Sequence, residues 1–178
     1  MGRTFLRNAR EFPTLRERVE WASLPGMLLG TDELQHRVAR SGAWLFAIGL
    51  VTGFWVALVV TEKVVVPIPR LALAAHLNGL LGGLWLIAVA ATLDRLRYGL
   101  AGRTRLAIFV VIATWGNWLL TLIASILGVR GLEYTDDMRN NAVAILLDIF
   151  VVLPSLVAAF VWAWGFRGPS RPRSELPH

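Results

Sequence analysis

The sequence predicts an all-α integral membrane protein, a bundle of four transmembrane helices preceded by an N-terminal interfacial helix. Three observations carry that expectation. The chain is 56% hydrophobic and only 17% charged, against about 25% charged in an ordinary soluble domain. Its charges withdraw into a few segments and leave apolar runs long enough to cross hydrocarbon, which takes about 20 residues in a helix. The basic residues also gather on alternate sides of those runs. No acidic or basic residue interrupts 41–61, 71–93 or 106–129, and a fourth run, 140–166, holds one carboxylate, Asp148.

The distribution of charge sets the orientation. Seven arginines (Arg3, Arg7, Arg10, Arg16, Arg18, Arg37, Arg40) precede the first run, four (Arg95, Arg97, Arg103, Arg105) lie between the second and third, and three (Arg167, Arg171, Arg173) follow the fourth. The two opposite loops share only Lys63, Arg70, Arg130 and Arg139. Positive charge stays on the cytoplasmic side of short loops, so both termini are expected in the cytoplasm and the bilayer is expected to be the cell (inner) membrane. A net charge of +6 placed this way serves topology, and nucleic acid is not expected as a partner. There is no cysteine, hence no disulfide framework and no thiolate chemistry. The charged start lacks the apolar core of a cleaved signal peptide.

In chain order, residues 1–40 are expected to form a cytoplasmic amphipathic segment. Thr14-Leu15-Arg16-Glu17 has capping-box spacing, and Trp21 with Leu24–Leu29 suits the headgroup boundary, predicting an interfacial helix and then a turn; a floppy arm is the alternative. Thr31 or Asp32 is placed to cap a second helix that runs into span one. The four-helix transmembrane domain covers 41–166, with spans at about 41–61, 71–93, 106–128 and 142–164. Pro67 and Pro69 suit a short extended loop. Pro154 is expected to kink span four. The tail, 167–178, holds three prolines and is expected to be disordered.

Side chains that are costly in lipid point to function. They are His76 and Asn78 in span two, Asn117 and Thr121 in span three, and Asp148 in span four. Asp148 is expected to face the bundle interior or stay protonated, as a hydrogen-bond partner between helices or subunits. His76 shares a helix face with Gly79 and Gly83. Either those glycines clear a slot in which a porphyrin can approach the imidazole, or they form a small-xxx-small contact with another helix, with His76 bonded across it. Asn117 and Thr121 share a stripe with Ala113, flanked by Trp115 and Trp118. They could line an apolar pocket for a small oxygen-bearing substrate, or tie helices together. One His and one Asp within the spans do not make a non-haem metal site, and no glycine-rich phosphate loop or nucleophilic triad is present.

At these residues the chain resembles the styrene oxide isomerase family of small four-span membrane enzymes. The resemblance covers roughly 72–165, more weakly 37–60, and not the first thirty residues. It rests on Ala75-His76 with the glycine-rich run after it, Trp115-x-Asn117, Arg130-Gly131-Leu132 and Pro154, in order and spacing. It implies a homotrimer with haem b near subunit interfaces and His76 on the iron, with Gly79, Gly83 and Trp115 around the cofactor. It also implies Lewis-acid opening of an epoxide, with a hydride shift to a carbonyl product. The family's substrate-side Asn, Asp and Tyr fall here on Gly82, Ala113 and Thr121. Asn78, Asn117 and Thr121 are the polar residues left to meet a substrate. The expected activity is therefore a haem-b-dependent isomerase of small hydrophobic epoxides. The alternatives are a haem-binding membrane protein used in electron transfer, sensing or haem handling, and a haem-free transporter or assembly subunit.

Overall fold

A computed structural model describes residues 25–167. Four helices long and apolar enough to cross a membrane account for nearly all of it, as the sequence predicts, and the protein is a multi-pass membrane protein. Helix α1 spans Pro25–Val60, α2 Pro69–Thr92, α3 Leu100–Leu127 and α4 Met138–Gly165. The segment expected to form the interfacial helix, up to residue 24, and the tail from 168 lie outside the described residues.

Helix α1 begins earlier than expected. The chain is already helical from Pro25, where a turn was expected, so α1 passes through Thr31 and Asp32 without a new cap. Proline suits a first helical turn, since its missing N–H would have no partner there and its φ is already helical. At 1.5 Å per residue, the 36 residues of α1 run to about 54 Å, well beyond the roughly 30 Å of hydrocarbon. The surplus is its charged first part, where Arg37 Nε meets Glu33 Oε1 at 2.7 Å.

Glycine sets how α1 and α2 meet. A Cβ built on Gly79 would lie 2.7 Å from the Gly49 Cα, and one on Gly83 would lie 2.7 Å from the Phe46 nitrogen and 2.8 Å from the Gly42 oxygen. The two backbones therefore touch along a seam of Gly42 and Gly49 against Gly79 and Gly83, the close approach that small residues allow in membranes. Helix α3 packs on α2, and α4 on α3. Leu45, Leu86, Val89, Leu93, Leu106, Val110 and Ala158 fill the core towards the arginine-rich end. Many large apolar side chains, Phe54, Leu81 and Phe160 among them, face outward, as they must where the solvent is hydrocarbon.

Four indole N–H groups tie helices together. Trp115 donates to Ser41 at 2.9 Å, Trp118 to Thr52 at 3.0 Å, Trp162 to Thr92 at 3.0 Å and Trp55 to Ser125 at 3.4 Å. At the arginine-rich end, Arg103 donates to the carbonyls of Asp94 at 3.0 Å and Leu96 at 2.9 Å, and reaches Thr31 at 3.4 Å. One guanidinium thus holds the α2–α3 turn against α1. At the other end, α3 stops on left-handed Gly128, and Gly131 is left-handed too. Gly131 N–H donates to Asn140 Oδ1 at 2.8 Å, and Asn140 Nδ2 donates to the Glu133 carbonyl at 2.6 Å. The Arg130-Gly131-Leu132 motif is in this way a loop-closing device, because a Cβ on Gly131 would also strike Val143 at 2.6 Å.

Pro154 acts on α4 through a π turn, Asp148–Val152, in which Leu153 N–H bonds to the Asp148 carbonyl. Proline supplies no N–H to the carbonyl one turn back, at Phe150, and its ring crowds that group; a one-residue widening relieves the conflict. Gly116 of α3 leaves room beside it, a Cβ there lying 3.3 Å from the Phe150 oxygen. Of the alternatives for Asp148, the one facing the bundle interior is not met. Asp148 is exposed on the outer surface of the protomer and does not face the bundle interior, because it shares the outward face of α4 with Ile145, one turn earlier, and Ile149 beside it.

Candidate functional site

His76 lies two turns into α2, half-buried against α1. Its Nδ1 lies 2.8 Å from the Gly49 carbonyl oxygen. A carbonyl can only accept, so Nδ1 carries a proton, and in the neutral ring Nε2 keeps its lone pair. Gly49 makes this approach possible, and Gly53, one turn on, leaves space for the ring: a Cβ there would stand 3.2 Å from Cε1. Among the described residues Nε2 has no hydrogen-bond partner, and it is not buried. Leu73 and Leu77 near it on α2, and Leu50 and Phe54 beside the two glycines on α1, are all exposed.

The three other polar residues come together. Asn78 Nδ2 donates to Asn117 Oδ1 at 3.1 Å and to Thr121 Oγ1 at 3.0 Å, and the Thr121 hydroxyl lies 3.4 Å from Asn117 Oδ1. Asn117 and Thr121 share a stripe of α3 that faces α2 at the level of Asn78. The triangle does not face the imidazole. Two residues along a helix amount to about 200° of rotation, so His76 looks towards α1 and Asn78 towards α3.

The remaining site candidates separate as well. Gly79 and Gly83 are occupied by the α1 backbone, the helix-packing alternative, and so clear no slot beside the imidazole. Trp115 is bonded to Ser41 and stands edge-on to Trp118, with centroids 6.0 Å apart. Trp118 is the indole nearer the seam, its Cδ1 lying 3.0 Å from where a Gly79 Cβ would be. Gly82 is buried against Thr114 and Leu45, a Cβ on it meeting them at 3.1 and 3.2 Å, and Ala113 is buried too. A larger polar side chain at either position would have to displace the α2–α3 contact.

Gly49 and Gly53 are members of the site that the polar pattern of the sequence does not single out. Their signal lies elsewhere: Gly42, Gly49 and Gly53 mark one face of span one as a partner for Gly79 and Gly83.

Haem b, implied by the resemblance, makes a modest demand that these residues meet. Among the described residues no three His, Cys, Asp or Glu converge. A pre-assembled macrocycle needs one axial donor, and His76 presents a tautomer-fixed, accessible Nε2 in apolar surroundings. His76 would hold the iron, with the Gly49 carbonyl fixing the ring's orientation.

Comparison with known proteins follows the same lines. The sequence model of a family described as styrene oxide isomerase matches residues 34–167. A hydroxylaminobenzene mutase, HabB of Ectopseudomonas oleovorans, is 30% identical over 152 residues, which cover 81% of this chain and 88% of that protein. No solved structure matches.

Proposed function

This chain belongs to the styrene oxide isomerase family, and from that membership we propose that it is a haem-b-dependent membrane isomerase of small hydrophobic epoxides, with His76 on the iron. The observation that carries the reading is the 2.8 Å bond from Nδ1 to the Gly49 carbonyl. It commits the neutral imidazole to a single free donor, Nε2, which is not buried. When bound, the haem supplies Lewis acidity towards a substrate oxygen. The chain holds the imidazole and excludes water with the leucines and Phe54 around it, since water would divert an opening ring to a diol. The reaction is redox-neutral: one epoxide C–O bond breaks, a hydride moves to the carbon that lost oxygen, and a carbonyl forms in a product isomeric with the substrate.

A second reading follows from the likeness to a hydroxylaminobenzene mutase, and the amide triangle favours it. In an arylhydroxylamine the N–O bond takes the place of the epoxide C–O bond, and oxygen ends on a ring carbon of the isomeric aminophenol. The arginine distribution supports an inner-membrane protein with both termini cytoplasmic. His76 Nε2 and the amide triangle open on different sides of α2, so a site using both is completed by a second copy. That supports the homo-oligomer, a trimer by family likeness.

Spectroscopy and turnover test the reading together. Protein expressed with haem available is expected to show a Soret band that His76→Ala abolishes. The ferric protein is expected to convert styrene oxide to phenylacetaldehyde, or N-phenylhydroxylamine to 2-aminophenol. Wild-type protein without the band would remove haem from the reading. A ligand-insensitive, six-coordinate band without turnover would make this a non-catalytic haem protein.

A further inference from the structure

The hydrogen bonds of the triangle close on themselves. Both protons of Asn78 Nδ2 are used, on Asn117 and Thr121, and the Thr121 hydroxyl lies within bonding distance of the second lone pair of Asn117 Oδ1. Each amide has one group left over, an acceptor at Asn78 Oδ1 and a donor at Asn117 Nδ2. Among the described residues neither makes a hydrogen bond, and neither is buried. Reversing both amides keeps one free oxygen and one free NH₂ but exchanges the residues that hold them, so the two leucine variants would trade outcomes.

The pair stands deep in the membrane. Asn78 is nine residues past the start of α2 and Asn117 ten before the end of α3, about 14 and 15 Å from the same end of the bundle. That is near mid-depth, where no water waits to satisfy an exposed amide and unpaired polar groups are costly.

We infer that Asn78 Oδ1 and Asn117 Nδ2 together form a binding site for a small aromatic ligand that carries a hydrogen-bond donor beside an acceptor. An arylhydroxylamine has that pattern in its N–OH group, and an epoxide has only the acceptor. An epoxide here would satisfy Asn117 and leave the Asn78 oxygen without a partner, and a site built for a donor discriminates against ligands that lack one. The inference deepens the proposed function by selecting its substrate class, and the binding part of it requires neither haem nor turnover.

Benzamide and acetophenone test it, being alike in shape and differing by NH₂ against CH₃. Their affinities for the purified protein in lipid nanodiscs, corrected with empty nanodiscs, are measured by titration calorimetry. The wild type is expected to favour benzamide by about tenfold, one neutral hydrogen bond's worth. In Asn78→Leu the preference is expected to collapse to within about twofold while acetophenone is little changed, and in Asn117→Leu both ligands weaken. Equal wild-type affinities, or a preference that survives both Asn78→Leu and Asn117→Leu, would overturn the inference. The wild-type comparison decides alone if a variant does not fold. A preference for benzamide without turnover of either substrate sinks the proposed isomerase and leaves this site standing; turnover with equal affinities does the reverse.

Discussion

At the scale of the residue, the polar side chains inside the spans carry the functional argument, and they are legible because a bilayer makes each of them costly. His76, Asn78, Asn117 and Thr121 stand out from the amino-acid sequence alone. Their partners do not. The group that fixes the His76 tautomer is the Gly49 carbonyl, and a backbone oxygen leaves no mark in a sequence. Asn117 and Thr121 visibly share a stripe, but the join to Asn78 depends on the register of α2 against α3, which no local pattern encodes. Replacing Gly53 with leucine places a branched side chain against the imidazole ring. The expected outcome is loss of most of the Soret band with a thermal midpoint close to wild type, because Gly53 is half-exposed and the chain can bulge there. Arg103→Ala removes two charge-assisted bonds to carbonyls, about 1.5–3 kcal/mol each where desolvated. Arg103→Lys should not rescue it, since an ammonium lacks the fork that reaches two carbonyls at once. Thermal unfolding in detergent checks both variants.

At the scale of the element, the helices are readable from apolar run length, while their starts and their irregularity are not. The run of α1 through the charges at 32–40 is readable, yet its start at Pro25, where a turn is expected, is not, because proline serves a first helical turn as well as a loop. Pro154 announces a disruption in span four but not its form, a π turn over Asp148–Val152. The α1–α2 seam has the least slack, since its contacts are backbone on backbone. Gly79→Ala is expected to lower stability by about 1–3 kcal/mol, read as an earlier melting midpoint, with no flexible side chain at Gly49 able to yield. Gly116→Leu should act similarly on the α3–α4 contact at the Phe150 carbonyl.

At the scale of the whole molecule, the four-span layout and the family are legible in the sequence, while the division of the site between two faces of α2 is not. A mid-span carboxylate costs about 2.5–3.5 kcal/mol on insertion scales, yet Asp148 is exposed on the protomer. It is expected to be covered by another copy. Asp148→Leu is accordingly predicted to shift the particle to smaller mass by light scattering in mild detergent, with its helical circular dichroism unchanged. An unaltered mass would mean that this surface faces lipid. The four indoles that donate across helix seams have a further use. Each is held by a hydroxyl on a different helix, so the bundle contains its own strain gauge. As α1 parts from α3, or α4 from α2, a tryptophan loses its fixed orientation, its near-ultraviolet ellipticity fades and its emission shifts. Ser41→Ala, Thr52→Val, Thr92→Val and Ser125→Ala would silence the gauges one by one, assigning three signals to levels along the α1–α3 contact and one to α2–α4.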